Sequence, residues 1–153
     1  MRVLVDTSVW SLALRRRDGP QSAVARELHH LIAARVVEII GPIRQELLSG
    51  VRDPAHFARL EEHLAAFPDL PIMTEDHVTA AKFFNLCRSK GIQGSNTDFL
   101  ICAISVRCDV AIFTTDGDFR QFAKYLPIVL HESGKHAEPT PGHHRRSAPK
   151  KEP

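Results

Sequence analysis

The chain has 153 residues, of which 43% are hydrophobic and 25% are charged, which is typical of one globular domain with one sizeable core. The formal charge is +2, but residues 1–133 carry 15 basic and 16 acidic side chains, a net charge of −1. Global charge is therefore excluded as a source of attraction to nucleic acid, and any such attraction must come from a local patch or from metal ions.

The first half of the chain predicts strands that alternate with helices. Val3–Val5 is a short apolar run, and Asp6-Thr7-Ser8 follows it with side chains that favour helix starts. We therefore expect a strand and then a helix whose cationic last turn, Arg15-Arg16-Arg17, is followed by the helix breakers Asp18-Gly19-Pro20. The other elements predicted in this half are a helix over 22–34, a strand over 36–40, and helices over 43–49 and 54–66.

The second half continues the alternation. It predicts a weak strand over 70–73, a helix over 74–89 capped by Thr74, and a glycine-containing loop over 91–96. A buried helix opened by Asp98 and a strand over 110–114 follow. A short helix to Ala123 and a last strand over 127–130 complete the predicted elements. Alternating elements of this kind predict an α/β sandwich, in which helices cover both faces of a parallel sheet of about five strands.

Residues 134–153 are rich in Pro, His, Lys and Arg and have almost no apolar side chains. We expect them to form a disordered tail after a single domain over 1–133. The apolar run before Asp6 is too short for a signal peptide, and no apolar stretch approaches the ~20 residues of a membrane span, so we expect a cytoplasmic protein. The three cysteines lack paired spacing and are expected to be buried apolar residues.

Four acidic residues are predicted to meet at one edge of the sheet. Asp6 and Asp116 follow strands, and Glu46 and Asp98 lie near the starts of helices. Ligands of parallel α/β sheets collect outside the carboxyl ends of the strands. Four acids in one cleft repel one another unless divalent cations neutralise them, and oxygen ligands select Mg²⁺ or Mn²⁺.

Each acid also has an ordinary structural explanation. Asp6 and Asp98 stand where helix N-caps occur, Asp116 and Asp118 suit a turn, and Glu46 suits a solvated helix face. Taken singly, these explanations are the more common ones. Taken together, acids placed directly after buried strands are costly unless they have partners, which favours a shared site.

Four segments carry a resemblance to a known family. VLVDTSVWSLAL, RQELLSG, NTDFLICAIS and IFTTDGDF resemble, in order and spacing, the motifs of PIN-domain toxins of the VapC type, which belong to VapBC toxin-antitoxin pairs. The resemblance covers residues 1 to about 133. The loop over 91–96 and the His-rich tail depart from the family pattern, which leaves substrate choice open.

The resemblance implies a PIN-like three-layer α/β/α fold and an endoribonuclease that depends on Mg²⁺ or Mn²⁺ and cleaves tRNA or rRNA. It implies a cognate antitoxin and a homodimer. The acidic site would consist of Asp6, Glu46, Asp98 and Asp116, with Asp6, Asp98 and Asp116 as metal ligands. The candidate additional residues are Asp118, Thr7, Thr115 and Asn96.

Other interpretations stay open at this point. Arg15, Arg16 and Arg17 follow the first helix and are candidates for RNA contacts, although cations also favour a last helical turn without any ligand. The domain could instead be a catalytically silent module that binds RNA or protein, a nuclease that acts on DNA, or a response-regulator-like domain with Asp6 as phospho-acceptor. The sequence has no G-x-S-x-G, Walker A or H-E-x-x-H motif, so serine hydrolysis, nucleotide binding and zinc proteolysis are not indicated.

Overall fold

A computed structural model describes residues 1–14 and 22–134 of the chain. Arg15, Arg16 and Arg17, the predicted RNA contacts, lie outside these residues, as does the predicted tail beyond Gly134. None of the helices described is both long and apolar enough to cross a membrane.

The centre of the described domain is a parallel sheet of three short strands. These are β1 (Val3–Val5), β2 (Val37–Glu38) and β3 (Ala111–Phe113), in the order β2-β1-β3. All three residues of β1 are buried, and Val3 aligns with Val37 on one side and with Ala111 on the other. This central position explains the continuous apolar run, because a strand of this kind is covered on both faces.

The predicted fourth and fifth strands are single bridges at the two edges of this sheet. Ile39 pairs with Asp69 at one edge, and Ile112 pairs with Leu130 at the other, both in parallel. The prediction of about five strands is thus confirmed only in part. At the first edge the amide of Leu70 donates to Ile39 O at 2.9 Å.

Helices cover the sheet, and the predicted α/β architecture with a central parallel sheet is confirmed. The helices of the described residues are α1 (Thr7–Leu14), α2 (Ala23–Ala33), α3 (Gly41–Leu48), α4 (Pro54–Leu64), α5 (Thr74–Ser89), α6 (Asn96–Cys108) and α7 (Asp118–Phe122). Two predicted helix starts were wrong. Thr74 is the first residue of α5 and not its cap, and α6 begins at Asn96, so Asp98 does not open it.

Helix α6 lies in the middle of the core, as its sequence predicts. Every residue from Phe99 to Ser105 is buried, and the helix packs mainly against α5. Cys87 and Cys102 are fully buried and Cys108 is partly buried, so the cysteines act as small apolar residues. The burial of α6 fixes the orientation of its first turn, which carries Asp98.

A buried ion pair joins α5 to α6. Arg107 donates from Nε to Asp76 Oδ1 at 2.7 Å and from Nη2 to Asp76 Oδ2 at 2.8 Å. The Asp76 side chain is 1% exposed and the Arg107 side chain is 29% exposed. Burial alone would raise the pKa of Asp76, but the hydrogen bonds from Arg107 and from the Met73 amide outweigh it and hold this pKa below its usual value.

Replacing Arg107 by alanine is expected to lower the free energy of unfolding by about 2–4 kcal/mol near neutral pH, because the buried Asp76 carboxylate loses its partner. A lowered native pKa stabilises the fold above the ordinary aspartate pKa, and this contribution is lost as pH falls through the lowered value. Urea unfolding should therefore show a deficit that shrinks as pH falls below the ordinary aspartate pKa of 3.8. An equal deficit in Arg59→Ala, at an exposed arginine of α4, would contradict this explanation.

Candidate active site

The four predicted acids line one cleft of about 680 Å³ at the carboxyl end of the sheet. We call it the acid cleft, and define it by Asp6, Glu46, Asp98 and Asp116. These residues come from four separate parts of the chain: the ends of β1 and β3 and the helices α3 and α6. The convergence predicted from strand ends and helix starts is therefore present in the folded chain.

Asp6 is the most buried acid of the cleft, with 7% of its surface exposed. Its backbone N–H donates to Phe113 O at 2.9 Å, which ties the end of β1 to the end of β3. Its carboxylate oxygen Oδ2 accepts hydrogen bonds from Ser8 Oγ and Thr114 Oγ1, both at 2.8 Å. Asp6 precedes α1, and its carbonyl oxygen accepts from the amides of Val9 and Trp10, but its carboxylate is held by the two hydroxyls rather than by a helix amide.

Two hydroxyl groups, whose oxygens lie 3.3 Å apart, orient this carboxylate through the same oxygen, Oδ2. Ser8 Oγ accepts from the amide of Thr115 at 3.1 Å, and Thr114 Oγ1 accepts from the amide of Asp116 at 3.0 Å. Each hydroxyl proton is then directed at Asp6 Oδ2. Neither hydroxyl engages the second oxygen, Oδ1.

Asp98 is held by a capping box at the start of α6. Its Oδ2 accepts from the amide of Ser95 at 2.9 Å, and its own amide donates to Ser95 Oγ at 3.1 Å. Burial raises the pKa of Asp98, and the charges of Asp116 and Asp6 raise it further, whereas the bonds to Ser95 lower it. Burial is the largest cause of the raised pKa, and the two neighbouring carboxylates add a smaller electrostatic contribution in the same direction.

The loop before α6 needs a glycine at position 94. A Cβ on Gly94 would lie 2.5 Å from Phe122 Cζ and 3.0 Å from Phe99 Cε2. Both rings belong to the core, so neither can yield easily. This close approach holds Ser95, and through it Asp98, against the folded domain.

Glu46 reaches the cleft from α3, which Pro42 starts. Thr7 Oγ1 donates to Glu46 Oε2 at 3.0 Å, so this glutamate is not simply a solvated helix residue. Two residues earlier, Arg44 pairs with Asp69 at 3.0 Å and donates to Leu64 O at 2.9 Å. These contacts fix α3 against the chain that follows α4, and so they set the position of Glu46.

Asp116 lies three residues beyond β3, on an exposed turn. Its Oδ1 accepts from the amide of Asp118 at 2.9 Å, which is the turn that the ordinary explanation predicts. Thr115 also lines the acid cleft, but Asp118 is exposed on α7 and does not. Asn96 lines a separate cleft between α5 and α6.

Sequence reasoning missed three residues that position the acids: Ser8, Thr114 and Ser95. The sequence instead indicates Thr7 and Thr115 as additional site residues, and of these Thr7 donates to Glu46. A signal for Ser95 was present, because Ser followed three residues later by Asp at a helix start is the pattern of a capping box. The contact between Thr114 and Asp6 spans 108 residues and has no local signal.

The donor set of the acid cleft consists of carboxylate and hydroxyl oxygens, which suit Mg²⁺ or Mn²⁺. As the side chains stand, no three His, Cys, Asp or Glu side chains in the described ranges are grouped so that they could hold a metal ion. Mg²⁺ usually retains several waters and takes only one or two carboxylates together with substrate phosphates. The cleft therefore fits a hydrated ion better than one enclosed by protein ligands.

Comparisons with known proteins agree with this architecture. A family model described as the PIN domain matches residues 3–125. FitAcB from Neisseria gonorrhoeae is similar in structure, with a TM-score of 0.69, 20% sequence identity, and coverage of 86% of this chain and 97% of that chain. None of the curated proteins matches the chain.

Two further solved structures have the same fold. VapBC2 from Rickettsia felis, bound to a DNA fragment from its promoter, has a TM-score of 0.66 and 15% identity, and covers 86% of this chain and 98% of that chain. VapBC-1 from nontypeable Haemophilus influenzae has a TM-score of 0.68 and 15% identity, and covers 88% of this chain and 100% of that chain. At these identities the likeness is one of fold.

Proposed function

The chain belongs to the PIN-domain family, and on that premise we propose that it is a metal-dependent endoribonuclease that acts as the toxin of a toxin-antitoxin pair. PIN domains are generally nucleases that hydrolyse phosphodiester bonds. The observation that carries the proposal is the convergence of Asp6, Glu46, Asp98 and Asp116 on one cleft from four parts of the chain. A silent binding module would not require four carboxylates around one cleft, one of which, Asp6, is buried.

We propose that Asp6, Asp98 and Asp116 hold one or two Mg²⁺ or Mn²⁺ ions, directly or through bound water. When bound, such an ion would activate a water and stabilise the charge that develops on the phosphodiester. The hydroxyls of Ser8 and Thr114 both contact Asp6 Oδ2, so Oδ1 would be the oxygen that binds the ion. Glu46, oriented by Thr7, is placed to accept a proton from the attacking water.

The partners follow from the same proposal. The similar structures from Rickettsia felis and Haemophilus influenzae are VapBC proteins, the kind of toxin-antitoxin pair that the sequence motifs resemble. We propose that this chain likewise has a cognate antitoxin that covers the acid cleft, that it forms a homodimer, and that it acts on tRNA or rRNA in the cytoplasm. A basic segment of the antitoxin would complement the four acids electrostatically.

The direct test is incubation of the purified protein with a pool of tRNA and rRNA in Mg²⁺ or Mn²⁺. We expect discrete RNA fragments, their loss in EDTA and their return when excess Mg²⁺ is added. DNA of matching sequence should stay intact. Asp98→Asn should show no fragments, because it removes a charge from the cleft while keeping the shape of the capping side chain.

Glu62→Gln is the matched control, since it removes one negative charge from an exposed position of α4 away from the cleft. It should cleave like the wild type. Full metal-dependent activity in Asp98→Asn would contradict the assignment of the acid cleft as the active site. Tight RNA binding without cleavage by the wild type would favour a silent binding module instead.

A further inference from the structure

A second cleft, of about 770 Å³, lies beside the acid cleft. Thr115 and Asp116 line both clefts, so they form the wall between them. We call the second one the flanking cleft, and define it by Thr115, Asp116, Gly117, Arg120, His131 and Ser133. A polymer whose reacting bond sits in the acid cleft has a direct path over Asp116 into the flanking cleft.

Arg120 is the cation of this cleft. It is exposed on α7, four residues after Asp116, and among the described residues no carboxylate pairs with it. Other arginines of the domain, such as Arg44 and Arg107, are paired with carboxylates. An arginine that lines a cavity without an internal partner keeps its full donor fork for a ligand.

The other ionisable groups of the flanking cleft are less available. His131 Nε2 lies 2.7 Å from the buried carboxylate of Glu27, so this ring is tied to α2. Asp116 and Glu132 also line the cleft, and each adds a negative charge. Binding of a polyanion in this cleft must therefore depend mainly on Arg120, with hydroxyl groups such as that of Ser133 as further donors.

We propose that the flanking cleft binds the RNA backbone next to the bond that is cleaved, and that Arg120 contacts a phosphate of that backbone. The inference rests on the proposed ribonuclease function, because it extends the same site. The acid cleft repels phosphates that no metal ion reaches, and residues 1–133 carry a net charge of −1. A local cation beside the cleft supplies the attraction that the domain as a whole does not.

The opposite flank of the acid cleft is a weaker candidate. A groove of about 470 Å³ between α5 and α6 shares Thr97 with the acid cleft and is lined by His77, Asn85 and Asn96. Within the described part of the chain, no lysine or arginine lines this groove. Phosphate contacts fix the register of a nucleic acid on a protein, and the flanking cleft with Arg120 is better equipped to provide one.

The test measures the affinity of a short labelled RNA by fluorescence anisotropy in EDTA, where cleavage is not expected. Arg120→Ala should weaken RNA binding about 3- to 10-fold. The slope of log affinity against log salt should become shallower by about 0.7, which is the value for one phosphate contact on a single strand. Arg120→Lys should recover most of the affinity, because a point charge also reaches a phosphate. Arg59→Ala, the same charge change on α4, should stay within about twofold of wild type.

Cleavage in Mg²⁺ provides a second, independent measurement. Arg120→Ala should raise KM with kcat nearly unchanged, as expected for an interaction equally strong in ground and transition states. RNA affinity, salt slope and KM equal to wild type in Arg120→Ala would overturn the flanking-cleft proposal even if the protein cleaves RNA. If the wild type binds RNA but does not cleave it, and Arg120→Ala binds RNA more weakly, the flanking-cleft proposal would be supported and the proposed ribonuclease function overturned. No binding and no cleavage by the wild type would overturn both.

Discussion

Asp6→Asn is expected to reduce RNA cleavage by more than about 100-fold, since even the outer partners of metal ligands are worth about 10- to 100-fold. Asparagine keeps the shape of the side chain, and its carbonyl oxygen can still accept the hydroxyls of Ser8 and Thr114. It removes the negative charge that the cleft directs at a metal ion. The loss should appear in cleavage rates measured across a titration of Mg²⁺, and added Mg²⁺ should not restore the rate.

The same substitution should not weaken the fold in the absence of metal. The pKa of Asp98 is raised by burial and then by the charges of Asp116 and Asp6, so the metal-free cleft is under electrostatic repulsion. Removing one charge relieves this repulsion. Thermal unfolding in EDTA should give an equal or higher midpoint for Asp6→Asn than for the wild type.

Adding Mg²⁺ separates this explanation from a general effect of the substitution. The wild type should gain thermal stability with Mg²⁺, because an ion that binds only the folded state stabilises it, and Asp6→Asn should gain much less. Glu62→Gln, a charge removed from exposed α4, should respond to Mg²⁺ like the wild type. If the unfolding midpoint of Asp6→Asn in EDTA lies well below that of the wild type, Asp6 stabilises the fold. That result would contradict the explanation that its charge is repelled by the other acids in the metal-free cleft.

The elements of this domain could be predicted because their signals are local. The buried run of β1 and the apolar circumference of α6 each lie within one short window, and both are confirmed. The edges of the sheet could not be predicted in the same way. Leu130 pairs with Ile112, which lies outside the short window that predicts a strand around Leu130. This pairing ends after one bridge.

The residues of the site also differ in whether local sequence signals could predict them. The acids could be predicted because strand ends and helix starts mark one edge of a parallel sheet. Their supporting hydroxyls could not be assigned, because adjacent Thr-Ser and Thr-Thr pairs give no indication of which member faces the acid. In the folded chain, Ser8 and Thr114 donate to Asp6, whereas Thr7 turns to Glu46.

Thr114→Val is expected to reduce metal-dependent cleavage about 10- to 100-fold, although Thr114 is not proposed to touch the metal ion or the RNA. Its hydroxyl donates to Asp6 Oδ2 and accepts from the amide of Asp116, so one side chain positions two of the proposed ligands. Valine has nearly the same shape and can do neither. Asp6 would keep only the hydroxyl of Ser8, and the turn that carries Asp116 would lose its anchor on the sheet.

A positioning role makes a different prediction from a purely structural one. The half-saturating concentration of Mg²⁺ should rise in Thr114→Val, and part of the lost rate should return at high Mg²⁺, unlike in Asp6→Asn. Thr114→Ser restores the hydroxyl and should recover most of the activity. Thr79→Val, on α5 away from the acid cleft, is the matched control and should cleave like the wild type. A loss of activity in Thr114→Val that Thr114→Ser fails to rescue would mean that the methyl group and its packing, rather than the hydrogen bond to Asp6, set the activity of the site.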